Sequence, residues 1–264
     1  MSGPRFSRQG APALRTSRAW SAAGVLLLLL AWHLAARQLG PLLMATPWEA
    51  LRAIGPLVRG PQFFANAGVS LMRIGVGVLA GASLGFALGM LAGHSARLRG
   101  LIEPLRWLLM AMPPVVVVVL AMLWFGLGSS MVIFITTLMM APGMYVNTVK
   151  GMLHVDRKLI ETTQVYRYGP WLRLRHLYLP ALSAPLLAAL LIAACGGVRL
   201  AVMAEVLGAE NGVGYVLATA RSTFDTAEVY AWVLLILGLV ALLEFAFLQP
   251  LQRRLGRWME PSHA

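Results

Sequence analysis

Charge is scarce in this chain. Only 12% of its 264 residues are charged, about half of what a soluble domain carries. Acidic residues are the scarcest, ten against 22 Lys and Arg, and the aspartates are only Asp156 and Asp225. Neither aspartate falls in an apolar run, which excludes an intramembrane D-D-x-x-D metal site. No Ser–His or H-E-x-x-H pair lies in such a run either, so an intramembrane hydrolase has nothing to work with. Cys195 is the single cysteine, which excludes an internal disulfide and a cysteine-based metal site. The five histidines, His33, His94, His154, His176 and His263, show no ligand spacing. Lysine occurs only as Lys150 and Lys158, neither in a G-x4-G-K-[ST] loop, so the chain cannot cradle ATP phosphates itself. No metal and no cofactor is expected.

What the chain has instead is apolar length. Hydrophobic residues make up 59% of it. Six runs approach the ~20 residues that a membrane-crossing helix needs. They cover roughly 20–37, 68–93, 104–125, 130–148, 181–204 and 229–250. A buried soluble core explains one or two such runs, not six. The first run also suits a signal peptide, with Arg5, Arg8, Arg15 and Arg18 ahead of Gly24–Trp32. It lacks a convincing A-x-A cleavage site, and a retained first helix is the reading adopted.

The net charge of +12 invites a nucleic-acid reading, but its distribution argues against one. Of the 22 basic residues, 16 fall in the N-terminal arm, residues 97–106, residues 150–175 and residues 253–257. Those are alternate loops and both termini, as the positive-inside rule expects when both ends are cytoplasmic. The expected organisation is a basic arm (1–19), a first span with an outer segment (20–65), a membrane core (66–250) and a cytoplasmic tail (251–264). The core carries a polar insert at 152–180.

Several local patterns sharpen this picture. Thr46-Pro47-Trp48-Glu49 is a capping box with Pro at the first helical position, so a short amphipathic helix at the outer surface competes with a plain loop. Gly77, Gly81, Gly85, Gly89 and Gly93 recur every fourth residue, a stripe for close helix packing. Pro113-Pro114 removes two backbone donors within the third run. It marks either a simple kink or a helix facing a translocation path. Arg199 sits buried at membrane depth near the outer face, about 9 Å along the helix from Glu205. It either serves the path or snorkels. Glu205 opens the following outer loop, Ala204–Asp225. In the insert, Asp156 caps a helix to about Arg167, Gly169-Pro170 ends it, and Trp171–Leu179 forms a second short helix. This pair either lies on the membrane or is a docking knob for a soluble subunit.

From about residue 66 onward the chain resembles the membrane-spanning permeases of bacterial type I ABC importers. These carry a cytoplasmic motif E-A-A-x3-G-x9-I-x-L-P. Here Glu161, Thr162 and Thr163 take the E-A-A positions, Leu177 the Ile, and Leu179-Pro180 the final L-P. Arg167 stands at the motif glycine, and Gly169 lies two residues on. The chain is most similar to the nitrate, sulfonate and taurine permease group. Ser70-Leu71-x-Arg73, Pro113-Pro114, Leu123–Gly128, Asn147-Thr148, Val155-Asp156, Ala204–Gly208, Gly212–Tyr215, and Arg253-Arg254 with Trp258 carry that likeness.

The resemblance implies an all-α integral membrane fold of six spans with a cytoplasmic coupling helix. It implies a non-enzymatic transport subunit in the bacterial inner membrane, served by two copies of an ABC ATPase and fed by a periplasmic solute-binding protein. The coupling contact would fall on Asp156, Glu161, Thr162, Thr163, Arg167, Gly169, Leu177 and Pro180. Pro113, Pro114, Arg199 and Glu205 would lie on the translocation path. A second copy of the chain would complete that path, since one six-span chain has too few helices to enclose it. The implied solute is a small anion such as an aliphatic sulfonate, taurine or nitrate. A thiamine-precursor pyrimidine is the alternative solute, and a secondary transporter the more distant alternative function.

Overall fold

A computed structural model describes residues 13–250. The basic arm before them and the tail with Arg253, Arg254 and Trp258 lie outside the described residues. Every regular element among the described residues is a helix. The first run gives α1 (Ala13–Leu39), whose stretch Trp20–Leu39 is long and apolar enough to cross a membrane. Capping then starts α2 (Pro47–Arg59). The Thr46 hydroxyl accepts from the Glu49 N–H at 3.3 Å, and the Glu49 carboxylate accepts from the Thr46 N–H at 2.8 Å. That backbone bond, and then the Thr46 hydroxyl, hold the Glu49 carboxyl below its ordinary pKa. The capping box therefore makes a helix and not a loop, and α2 packs on α11 (Thr226–Leu242).

The glycine stripe sets the closest helix pair, α3 (Phe63–His94) on α6 (Ser129–Leu153). A Cβ on Gly85 would stand 2.3 Å from the Ala141 carbonyl oxygen and 2.9 Å from the Tyr145 nitrogen. Side chains longer than hydrogen would force the two backbones apart. The stripe is thus a packing face within one chain. Ile74, Val78, Val118, Val132, Ile135 and Val198 form the main core beside it.

The third run does not form one straight span. It gives α4 (Ala96–Ala111) and α5 (Pro114–Phe125), bent by 101°. Pro113 lacks an N–H for α4 to continue on, and Pro114 opens α5 where no N–H is needed. Counting this bent pair as one, the described residues hold six stretches long and apolar enough to cross a membrane, the others lying in α1, α3, α6, α9 (Leu179–Gly208) and α11. A short α10 (Val213–Ser222) joins the last two.

The insert holds α7 (Arg157–Val165), capped by Asp156 as its spacing predicts. The separate second helix over Trp171–Leu179 is not found. Instead α8 (Pro170–Arg173) runs through a π turn at Leu174–Tyr178 directly into α9, with helical dihedrals at both joints. The π turn lies just ahead of Pro180, which has no N–H to offer the preceding α-helical turn. The Leu179 N–H reaches back to the Leu174 carbonyl, the wider spacing of a π turn.

Candidate functional site

Three constellations at different depths deserve comparison: the insert, a buried polar clasp at the opposite end of the bundle, and a groove between them.

In the insert, the Asp156 carboxylate accepts from the Lys158 N–H at 2.9 Å. Glu161 and Thr162 are exposed, whereas Thr163 is buried with its hydroxyl on the Ile160 carbonyl at 2.7 Å. Glu161 makes no ion pair among the described residues. The end of α7 explains the motif glycine. The Tyr168 N–H bonds the Thr163 carbonyl at 2.9 Å, and the Arg167 N–H bonds the Gln164 carbonyl at 3.0 Å. This pair of bonds is a Schellman motif, and its C′ residue must be left-handed. Arg167 occupies it with φ 51°. The turn has therefore not shifted to Gly169, whose φ is −63°. Leu177 is buried where the helix enters the bundle, while Val165, Tyr166 and Trp171 are 79%, 71% and 69% exposed. Such an apolar display beside an unpaired carboxylate is what a docking surface offers.

The clasp centres on Glu205, which sequence reading places in an outer loop. It is within α9 instead, three residues from its end, and 1% exposed. Its carboxylate accepts from Arg73 Nη1 at 2.8 Å, from the Ser70 hydroxyl at 2.7 and 2.8 Å, and from the Gly214 N–H at 2.9 Å. Arg73 also donates from Nη1 to the Asn211 carbonyl at 2.9 Å, from Nη2 to the Asn211 side-chain oxygen, and from Nε to Ser129 Oγ at 3.0 Å. Ser70 Oγ and Asn66 Oδ1 accept from the Val213 and Gly212 N–H groups, both at 2.8 Å. Gly212 has φ 103°, and a Cβ there would lie 2.6 Å from a Glu205 oxygen. Both charges are paired and every nitrogen of the Arg73 guanidinium donates, the condition under which a buried ion pair persists. The clasp pins the 209–212 loop and the start of α10 to α3. Sequence reading had both charged residues but not their pairing, because 132 positions separate them. The available signal was two opposite intramembrane charges, each near the same end of its span.

Between these ends lies a groove of about 500 Å³. Pro114, Leu109 and Met110 line one side, Met139, Met140, Pro142 and Gly143 another, and Gly196, Arg199 and Met203 of α9 a third. Here too the sequence expectation is corrected. Arg199 is exposed into this groove, not buried, and does not reach Glu205. It lies about 13 Å along α9 from Gly208, opposite the middle of α6. It makes no hydrogen bond or ion pair among the described residues, and no carboxylate lines the groove. Pro114 thus shares a groove with Arg199, while Glu205 belongs to the clasp.

A bent-helix membrane bundle with a polar insert and an unpaired mid-depth cation belongs to the class of solute-conducting membrane subunits. Comparison with known proteins makes this particular. Residues 85–261 match the family described as binding-protein-dependent transport system inner membrane component, and the chain belongs to that family. A Bacillus subtilis (strain 168) protein provisionally named an aliphatic sulfonates transport permease is 30% identical over 223 residues, covering 81% of this chain and 78% of that one. The taurine transport system permease of Escherichia coli (strain K12) is 29% identical, covering 88% and 86%. The formylaminopyrimidine transport permease of Halalkalibacterium halodurans is 28% identical, covering 88% and 93%. Among solved structures, a chain of the MetNI methionine ABC transporter in inward-facing conformations superposes with a TM-score of 0.64. It is 19% identical and covers 73% of this chain and 95% of that one, a likeness of fold. The chain is a multi-pass permease subunit of an ABC importer.

Proposed function

We propose that the chain conducts a small organic anion inward, with Arg199 meeting it midway. The observation that carries this reading is the unpaired guanidinium at mid-depth in a groove without carboxylates. A cation held without a partner at such depth is costly unless something passing supplies the countercharge. The names of the sulfonate and taurine permeases agree with an anion. The formylaminopyrimidine relative supports a second reading, an uncharged or cationic pyrimidine, which Arg199 would disfavour.

The insert is then cytoplasmic, as are both termini, and the clasped loop faces the periplasm and its solute-binding protein. A separate ATPase, in two copies, docks on residues 156–176 with Glu161 central, and two copies of this chain share one path. The absence of a phosphate-binding loop and the exposed Glu161, Tyr166 and Trp171 support this assignment. Glu161→Lys tests it. An unpaired or wrong-sign charge buried in the contact costs several kcal/mol. Copurification of the ATPase and uptake of labelled taurine and butanesulfonate should both fall, with the membrane protein at normal level. Wild-type values of both would sink the docking assignment. Arg199→Gln should lower uptake while leaving ATPase copurification unchanged, and unchanged uptake would mean that Arg199 only snorkels.

A further inference from the structure

A second cavity, of about 360 Å³, lies nearer the insert end against the same two helices, α4 and α6. Arg99, Glu103 and Arg106 of α4 and Tyr145 and Lys150 of α6 line it. Leu109 and Gly143, which line the first groove, lie within about a turn of Arg106 and Tyr145. Three cations here face one carboxylate, and that carboxylate is already taken. Arg106 Nε lies 3.0 Å from both Glu103 oxygens. Arg99 and Lys150 have no ion-pair partner among the described residues.

Tyr145 supplies the independent observation. It is 4% exposed, and its hydroxyl has no hydrogen-bond partner among the described residues. It lines the same cavity as Arg99, Glu103 and Arg106. Buried hydroxyls are almost always partnered. An orphan O–H beside free cations is complementary to an acceptor bearing negative charge.

We propose that this cavity is a second anion station, taking the oxyanion head of the solute as it leaves Arg199 toward the insert end. The inference rests on the reading of the groove as the solute's path. Its physical sense is stepwise release. A lone guanidinium in an apolar groove holds an anion too well, and a second site one step further on lets it leave. The phosphate of an anionic lipid headgroup has related chemistry. Its place about one turn further along both α4 and α6 than the groove favours the solute.

The test is equilibrium binding of labelled butanesulfonate to the full chain, carried with its ATPase in phosphatidylcholine nanodiscs. Wild type should show an Arg199-dependent site and a second one. Arg99→Gln with Lys150→Gln should weaken the second by about tenfold or more, because two charge-assisted contacts go. Tyr145→Phe should weaken the same site roughly three- to tenfold without lowering the unfolding temperature, since the hydroxyl has no partner to lose. Binding at wild-type strength in the double variant overturns the station. So does loss of the second site when phosphatidylglycerol is added to the discs, which would assign the cavity to a lipid headgroup. A double variant that keeps its ATPase yet binds at full strength sinks the station alone. A chain that shows both sites yet copurifies with no ATPase sinks the importer coupling and leaves the station standing.

Discussion

At the scale of residues, four side chains differ sharply in standing. Arg73 and Glu205 are mutually dependent, each 1% exposed. Removing one partner strands the other, which costs about 3–5 kcal/mol. Arg73→Met and Glu205→Gln should each give a large drop in thermal unfolding midpoint in detergent, with little folded protein recovered. Arg167 is strained. A left-handed non-glycine residue carries roughly 1–2 kcal/mol, and Gly escapes that strain but gives part of the gain back through its greater freedom when unfolded. Arg167→Gly should therefore be tolerated and gain up to about 1 kcal/mol, read as a higher denaturant midpoint. Arg167→Val should lose stability, since a β-branched residue fits that φ worst. Glu49 has a depressed pKa, so its stabilising bond to Thr46 is present above the ordinary carboxylate range and lost as pH falls through the folded value. The protection of first-turn amides of α2, relative to their intrinsic exchange rates, should fall in acid, and Glu49→Gln should flatten that dependence.

At the scale of elements, the sequence was legible wherever a local rule decides the outcome. Thr46 and Glu49 sit three apart, Asp156 precedes a helical run, and the glycines of α3 repeat every fourth residue. Each is a short-range pattern that the fold obeys. The readings that missed needed information from afar. Nothing near residue 205 says that Ser70 and Arg73 wait for it. Gly169-Pro170 looks like a break between two helices, yet Pro at a first helical position also starts one, and here it starts the run that becomes α9. Arg199 reads as buried because its span is apolar, whereas one face of that span lines a groove. The glycine stripe offers an element-level test. Gly85→Ala pushes a methyl into the α6 backbone and should cost about 1–3 kcal/mol by overpacking. Gly75→Ala, with open space at its Cβ, should be neutral or stabilising. Equal effects of the two would mean that the α3–α6 contact is not the tight one.

At the scale of the whole molecule, six crossings with both termini on one side require Tyr166 and Phe224 to face opposite compartments. In a Cys195→Ser background, Tyr166→Cys should react with a membrane-impermeant thiol reagent only after the cell is opened, and Phe224→Cys in intact spheroplasts. The reverse pattern would invert the topology. A purified active complex should contain two copies of the chain by mass, and one copy per two ATPases would contradict a shared path. The unbroken run from Pro170 to Gly208 has a further mechanical meaning. About 40 helical residues make a rod close to 60 Å long, with α7 near one tip and Glu205 near the other. A tilt of roughly 5° about the insert would sweep the far tip by about 5 Å, more than a hydrogen bond can stretch. Since Glu205 is bonded to α3 and to the first turn of α10 at that tip, those two segments must either travel with the rod or release it. The choice between towing and letting go is thus made some 60 Å from where the push arrives.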